Sequence, residues 1–143
     1  KERFASGNPL LLSRISFMSR LSAKDYLRLM KLAKVVLDTP IFCGGNSSFE
    51  ALAAGKVVIT LPGQYMRGLF TAGIYKQMGL DDLIPQTAEN YVELAVSLAT
   101  DADERIREEN RIKERLPLIF NNLDTILSHE KFFMDVFNLN TIN

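Results

Sequence analysis

The run VVLD at residues 35–38 and the run VVITL at residues 57–61 are each almost unbroken in apolar, mostly β-branched residues, with one glycine loop and one helix's length of chain between them. A strand with one wet face alternates in polarity, whereas a continuous run suits a strand covered on both faces. Strands joined through a helical crossover run parallel, because an antiparallel pair needs only a turn. The pattern continues on both sides. ISFM at 15–18 is short and β-prone, and Ser22 with Asp25 opens a helical segment that carries Tyr26, Leu27, Leu29, Met30 and Ala33 at helical spacing. After Pro62 and Gly63, residues 69–78 read as a helix stopped by Gly79, 83–84 as a short strand, and 88–99 as a helix with Tyr91, Leu94, Ala95 and Leu98 inward. The alternation predicts an α/β fold, a doubly wound parallel sheet with helices on both faces and the run 35–38 as a central strand.

Beyond residue 100 the pattern changes. DADERIREENRIKER places opposite charges four apart at Asp101 and Arg105, Asp103 and Arg107, and Glu109 and Lys113, the mark of a solvated helix. Residues 118–137 read as a last helix in which Phe120, Leu123, Ile126, Phe132, Phe133, Val136 and Phe137 make more apolar surface than a free tail carries, so a neighbour is expected to cover it. These C-terminal helices, within 101–143, belong to the same unit as the rest. A 143-residue chain makes one domain, and one of that size buries roughly 70% of the surface its unfolded chain exposes.

Seventeen basic and seventeen acidic residues cancel, which removes any general electrostatic case for nucleic acid or an anionic membrane and requires an anion site to be local. The single cysteine, Cys43, forms no internal disulfide, the apolar runs are too short to span a bilayer and no signal peptide is visible, so a cytoplasmic location is expected. KERFASG reads as the end of a helix with Gly7 just past it, as in a piece of a longer protein.

The loop CGGNSSFE, residues 43–50, follows a strand, and doubly wound sheets bind ligands beyond the carboxyl ends of their strands. Gly44 and Gly45 allow backbone geometry that a Cβ would forbid, and the amides of Asn46, Ser47 and Ser48 at the next helix start are expected to point outward at the positive end of the dipole, which suits a phosphate. Ser47-x-x-Glu50 has a second reading, an ordinary capping box. In the ligand reading Glu50, one turn in, is placed to accept from ribose hydroxyls. Arg67, in the loop after 57–61, either approaches a diphosphate or sugar or stands as an exposed arginine without contact.

Several chemistries are disfavoured. Gly55-Lys56 ends a helix instead of opening one, so no P-loop is present, and no G-x-G-x-x-G occurs. Asp101 and Asp103 are spaced like an acidic metal pair but open a charged helix, where capping explains them. His129 is the sole histidine, which excludes a histidine metal cluster and reads as a surface or packing residue. Cys43 has no activating partner in view and reads as small-residue packing.

LAKVVLDTPIFCGGNSSFEALAAGKVVITLPGQYMRG, followed by YKQMGLDDLI and YVELAVSLATD, resembles the carboxyl-terminal catalytic lobe of the O-linked N-acetylglucosamine transferases, especially bacterial members with tetratricopeptide repeats upstream, over residues 14–137. The resemblance implies a GT-B architecture, two Rossmann-like lobes with the active site between them, and transfer of a sugar from a UDP-sugar to a serine or threonine hydroxyl with inversion and without metal or other cofactor. Residues 1–143 are then the donor-binding lobe. By the family pattern Gly45, Asn46 and Ser47 meet the diphosphate, flanked by Gly44 and Ser48, Glu50 holds the ribose, and Tyr26 lies beside the uracil. Tyr26 also shares a helix stripe with Leu29 and Ala33, so packing remains open for it. Animal members have His-Thr-Thr where this chain has Gly45-Asn46-Ser47, a change that spares backbone amides. The family's lysine for the leaving diphosphate and its candidate proton acceptors belong to segments before Lys1, so no catalytic residue and no turnover are expected of this chain alone. The implied partners are the UDP-sugar, the N-terminal catalytic lobe, tetratricopeptide repeats, and a protein or peptide acceptor bound through the other lobe. Two alternatives stand beside it: a lobe of a UDP-sugar 2-epimerase, whose acid and base groups are not found here, and a nucleotide-binding module that has lost its chemistry.

Overall fold

A computed structural model describes Gly7 and residues 9–141. Its elements run α1 (Pro9–Leu12), α2 (Ala23–Leu32), β1 (Val36–Leu37), α3 (Asn46–Ala53), β2 (Val58–Ile59), α4 (Phe70–Met78), α5 (Ala88–Thr100), α6 (Ala102–Arg115) and α7 (Leu123–Thr141), with 3-10 turns at Met66–Gly68, Asp81–Leu83 and Leu116–Leu118. The expected end of a helix in KERFASG lies outside the described residues except for Gly7, which is itself helical.

β1 and β2 pair in parallel, Val36 opposite Val58 and Leu37 opposite Ile59, with α3 as the crossover. Among the described residues this two-stranded pair is the whole sheet. The unbroken run at 57–60 is fully buried as its composition requires, and the core gathers around it: Leu52 from α3, Ile74, Tyr75 and Met78 from α4, Leu98 from α5 and Ile112 from α6. β1 differs from the central strand expected, because Leu37 is 60% exposed and β1 has β2 alone beside it.

Tyr75 explains why the sheet stops on the far side of β2. Val57 and Ile59 turn their carbonyls to β1, accepting from Val36 and Asp38, so Val58 between them faces the opposite edge. There the Tyr75 hydroxyl donates to the Val58 carbonyl and accepts from the Val58 amide, both at 2.9 Å. One phenol thus satisfies the groups a third strand would use, and its complete burial pushes its pKa far above the ordinary value. The strand expected at 83–84 is instead a 3-10 turn that drops Leu83 and Ile84 into the core. The strand expected at 15–18 has no regular structure, and Phe17 and Met18 are exposed.

The helix starts follow local chemistry. Ser22, Thr87 and Asp101 accept from the amides of Asp25, Asn90 and Glu104 as N-caps. The pairs expected within α6 give way to distant partners. Glu109 pairs with Lys56 at 2.8 Å, Arg111 with Asp82 as well as with Glu108 of its own helix, and Arg105 donates to the Leu98 carbonyl at 2.8 Å, one of the end carbonyls of α5. The helix expected over 118–137 is broken by Asn121 at φ 58°, and α7 restarts at Leu123 with Asn122 accepting from the Thr125 amide. Phe120 meets Phe49 edge to face at 5.8 Å, whereas Phe132, Phe133 and Phe137 on α7 are exposed. Among the described residues no helix is long and apolar enough to cross a membrane.

Candidate functional site

Both strands end at the same edge, and the loops that leave them are fastened to one another. The Cys43 amide donates to the Arg67 carbonyl at 2.9 Å, and the Gly63 amide closes a turn on the Gly68 carbonyl at 2.9 Å. Under these loops lies Asp38, 7% exposed, the residue directly after β1. Its Oδ1 accepts from the amides of Gly44 at 2.6 Å and Thr39 at 3.0 Å, and its Oδ2 from the hydroxyls of Thr71 at 2.6 Å and Thr60 at 3.0 Å. The Tyr91 hydroxyl donates to the Asp38 backbone carbonyl at 2.9 Å. Sequence reasoning missed Asp38, Thr60 and Thr71 as members of the site. The available signal was a polar residue inside or ending an apolar run, since a buried polar group must find partners.

α3 begins two residues earlier than a capping box would have it. Its N-cap is Gly45, with no side-chain hydrogen bond, and the Gly45 carbonyl accepts from the amides of Ser48 at 3.0 Å and Phe49 at 3.3 Å. Ser47 and Glu50 therefore do not form the reciprocal box. Ser48 also departs from its expected place among outward donors: its amide is used by Gly45 and its buried hydroxyl meets that of Thr71 at 2.9 Å. The amides of Gly45, Asn46 and Ser47 meet no acceptor among the described residues. They stand at the positive end of the helix dipole, on the carboxyl edge of the sheet.

Gly44 is fixed by sterics, for a Cβ there would lie 2.4 Å from Ser48 Oγ and 2.7 Å from Ser47 Oγ. A Cβ on Gly45 would meet nothing within 4 Å, so the backbone there is open on its side-chain face. Beside it runs a groove of about 620 Å³ lined by Gly45, Asn46, Phe49, Leu69, Phe70 and Gly73.

Glu50 and Tyr26 come together across α2 and α3. Burial, with the Glu50 charge adding to it, raises the Tyr26 phenol above its ordinary value. Tyr26 is half-buried and opens on a second cleft of about 520 Å³ shared with Met18, Arg20 and Leu29. Arg67 is exposed but not without contact, because its guanidinium lies 4.8 Å above the Tyr65 ring at the edge of the loop bundle. His129 is exposed on α7 with its Nδ1 2.7 Å from the Thr125 carbonyl, and Cys43 is buried. Among the described residues no group of three or more side chains is disposed to hold a metal.

The chain matches glycosyl transferase family 41 over residues 2–122. It is 32% identical over 91 residues to a UDP-N-acetylglucosamine--peptide N-acetylglucosaminyltransferase of Caenorhabditis elegans, a match covering 64% of this chain and 8% of that protein. It is 27% identical over 139 residues to the probable UDP-N-acetylglucosamine--peptide N-acetylglucosaminyltransferase SEC of Arabidopsis thaliana, covering 95% of this chain and 14% of that protein. A mutant of the Thermobaculum terrenum O-GlcNAc transferase superposes with a TM-score of 0.75 at 26% identity, over 85% of this chain and 24% of that one. The chain thus spans a small part of the length of its relatives, with the loop 38–50 inside the matched region. On the strength of that match, carried by most of its residues, the chain belongs to glycosyl transferase family 41.

Proposed function

We propose that this chain is the donor-binding lobe of a GT-B glycosyltransferase that moves N-acetylglucosamine from UDP to a serine or threonine hydroxyl of a protein, with inversion and without a metal. The observation that carries the reading is the set of open amides at Gly45, Asn46 and Ser47, at a helix start on the carboxyl edge of the sheet. Glu50 accepts from the ribose, Tyr26 lies against the uracil, and Arg67 reaches the diphosphate or the sugar. In a metal-free transfer the charge growing on the departing UDP must be met by fixed donors and cations, and this lobe supplies the amides among them. The doubly wound, Rossmann-like sheet belongs to the lobe as a whole, and the base, the acceptor groove and the tetratricopeptide repeats to the remainder of a longer cytoplasmic protein. Residues 1–143 alone then show no turnover, and sugar transfer by them would contradict the division of labour.

The test is calorimetric titration of the full-length protein with UDP, GDP and UMP. UDP is expected to bind most tightly, and Glu50→Ala to weaken it roughly tenfold or more, the scale of a lost hydrogen bond to a charged group. Ser47→Ala is expected to weaken UDP without lowering stability, because Ser47 is not the cap of α3. Equal affinity for GDP, or an unchanged Kd in Glu50→Ala, would overturn the assignment.

A further inference from the structure

We propose that Asp38 is a positioning residue for the donor diphosphate: its buried carboxylate holds both ends of the segment that presents the open amides. The inference rests on the donor-binding reading above and adds to it a residue that never touches the ligand. The Gly44 amide, immediately before the open donors, ends on Asp38 Oδ1 at 2.6 Å. Immediately after them, Ser48 is tied to the same carboxylate through one intermediary. The Thr71 hydroxyl donates its only proton to Asp38 Oδ2 at 2.6 Å, so at 2.9 Å from Ser48 it accepts, and Ser48 donates. The donors at Gly45, Asn46 and Ser47 are thereby bracketed.

The arrangement separates position from charge. Among the described residues Asp38 has no lysine or arginine within ion-pair distance, and its neighbours Thr39, Gly44, Thr60 and Thr71 together saturate both oxygens. A negative charge this close to a diphosphate opposes binding by Coulomb's law. What Asp38 contributes to the ligand is therefore geometry. An asparagine preserves that geometry, because its carbonyl oxygen faces the amides of Thr39 and Gly44 while its NH2 donates to the hydroxyls of Thr60 and Thr71, which rotate to accept. An alanine releases both brackets.

The experiment compares UDP with uridine, which lacks the phosphates, on the full-length wild type, Asp38→Ala and Asp38→Asn, with thermal unfolding as a check of folding. Asp38→Ala is expected to bind UDP at least tenfold more weakly and uridine within twofold of wild type, a split that a general loss of structure does not produce. Asp38→Asn is expected to stay within threefold for both. UDP and uridine affinities falling together, wild-type UDP affinity in folded Asp38→Ala, or Asp38→Asn as weak as Asp38→Ala would each overturn the inference. Should Asp38→Ala fail to fold, Thr71→Val and Thr71→Ser decide: loss of UDP affinity in the first and its return in the second support the bracket, and equal affinity in both refutes it. A wild-type protein that binds UDP no better than uridine overturns the donor reading and this inference together, whereas normal UDP binding with insensitive variants overturns this inference alone.

Discussion

A Cβ added at Gly44 would stand 2.4 Å from Ser48 Oγ and 2.7 Å from Ser47 Oγ, while one added at Gly45 would meet nothing within 4 Å. The neighbouring glycines should therefore answer differently to the same change. Gly44→Ala is expected to cost about 1–3 kcal/mol, as overpacking does, read as a lower midpoint of unfolding. Gly45→Ala is expected to stay within about 0.5 kcal/mol of wild type and to lose UDP affinity, because it adds a methyl to a residue that lines the groove and carries one of the open amides. The reverse pattern would mean that Gly45 is the structural glycine. Gly55 is a third case, at φ 73° with Lys113 Cε 2.5 Å from a built Cβ. Gly55→Ala should cost more than about 1 kcal/mol, since alanine resists a positive φ. Gly44, Gly45 and Gly55 were legible in the sequence as glycines that matter. The cap was not: the Ser47 to Glu50 spacing is that of a box, but the N-cap of α3 is Gly45, without a side-chain hydrogen bond, and Ser48 is engaged by Thr71, a hydroxyl partner 23 residues away that local pattern does not reveal.

At the scale of elements, α6 is anchored less by its own charge ladder than by contacts to other segments. Arg111 forks onto Asp82 with Nη1 at 2.6 Å from one oxygen and Nη2 at 2.9 Å from the other, and Nη1 also reaches Glu108. The hydrogen bond from Arg111 holds the Asp82 carboxyl below its ordinary value. A depressed carboxyl stabilises the fold fully above its unfolded pKa, near 4, and loses that contribution as pH falls through the lower folded value. Both side chains are partly exposed, so Asp82→Asn should cost at most about 1 kcal/mol at pH 7, and the difference from wild type should close below about pH 4. A difference that persists in acid would point to packing instead of charge. Strand 57–61 was legible because an unbroken apolar run has only one comfortable environment. Strand 83–84 failed because apolar residues are buried equally well in a turn, and the far edge of β2 is occupied by a side chain, Tyr75.

Across the whole molecule, the core cluster among the described residues lies between Ala51 and Ile112, with Met30, Val35, Leu116 and Ile119 among those packed against it, and α7 supplies none. Removing residues 123–143 should leave unfolding cooperative with a midpoint within about 4 °C of the intact chain, the shift that roughly 1 kcal/mol produces in a domain of this size. A collapse of the transition would show that α7 contributes to the fold despite its exposed faces. The apolar residues on α7 were expected to meet a neighbour, and their exposure leaves that surface open within this chain. A doubly wound sheet was inferred from alternation, yet the described residues contain one parallel pair, because crossover helices mark how strands connect and not how many share a sheet. One feature of the carboxyl edge offers a reporter of its movement. The Cys43 thiol is 3% exposed and sits in a loop pinned by its own amide to Arg67. Alkylation by a maleimide then waits for that loop to open, which turns the rate of thiol labelling into a clock for the excursion and predicts that saturating UDP slows the clock.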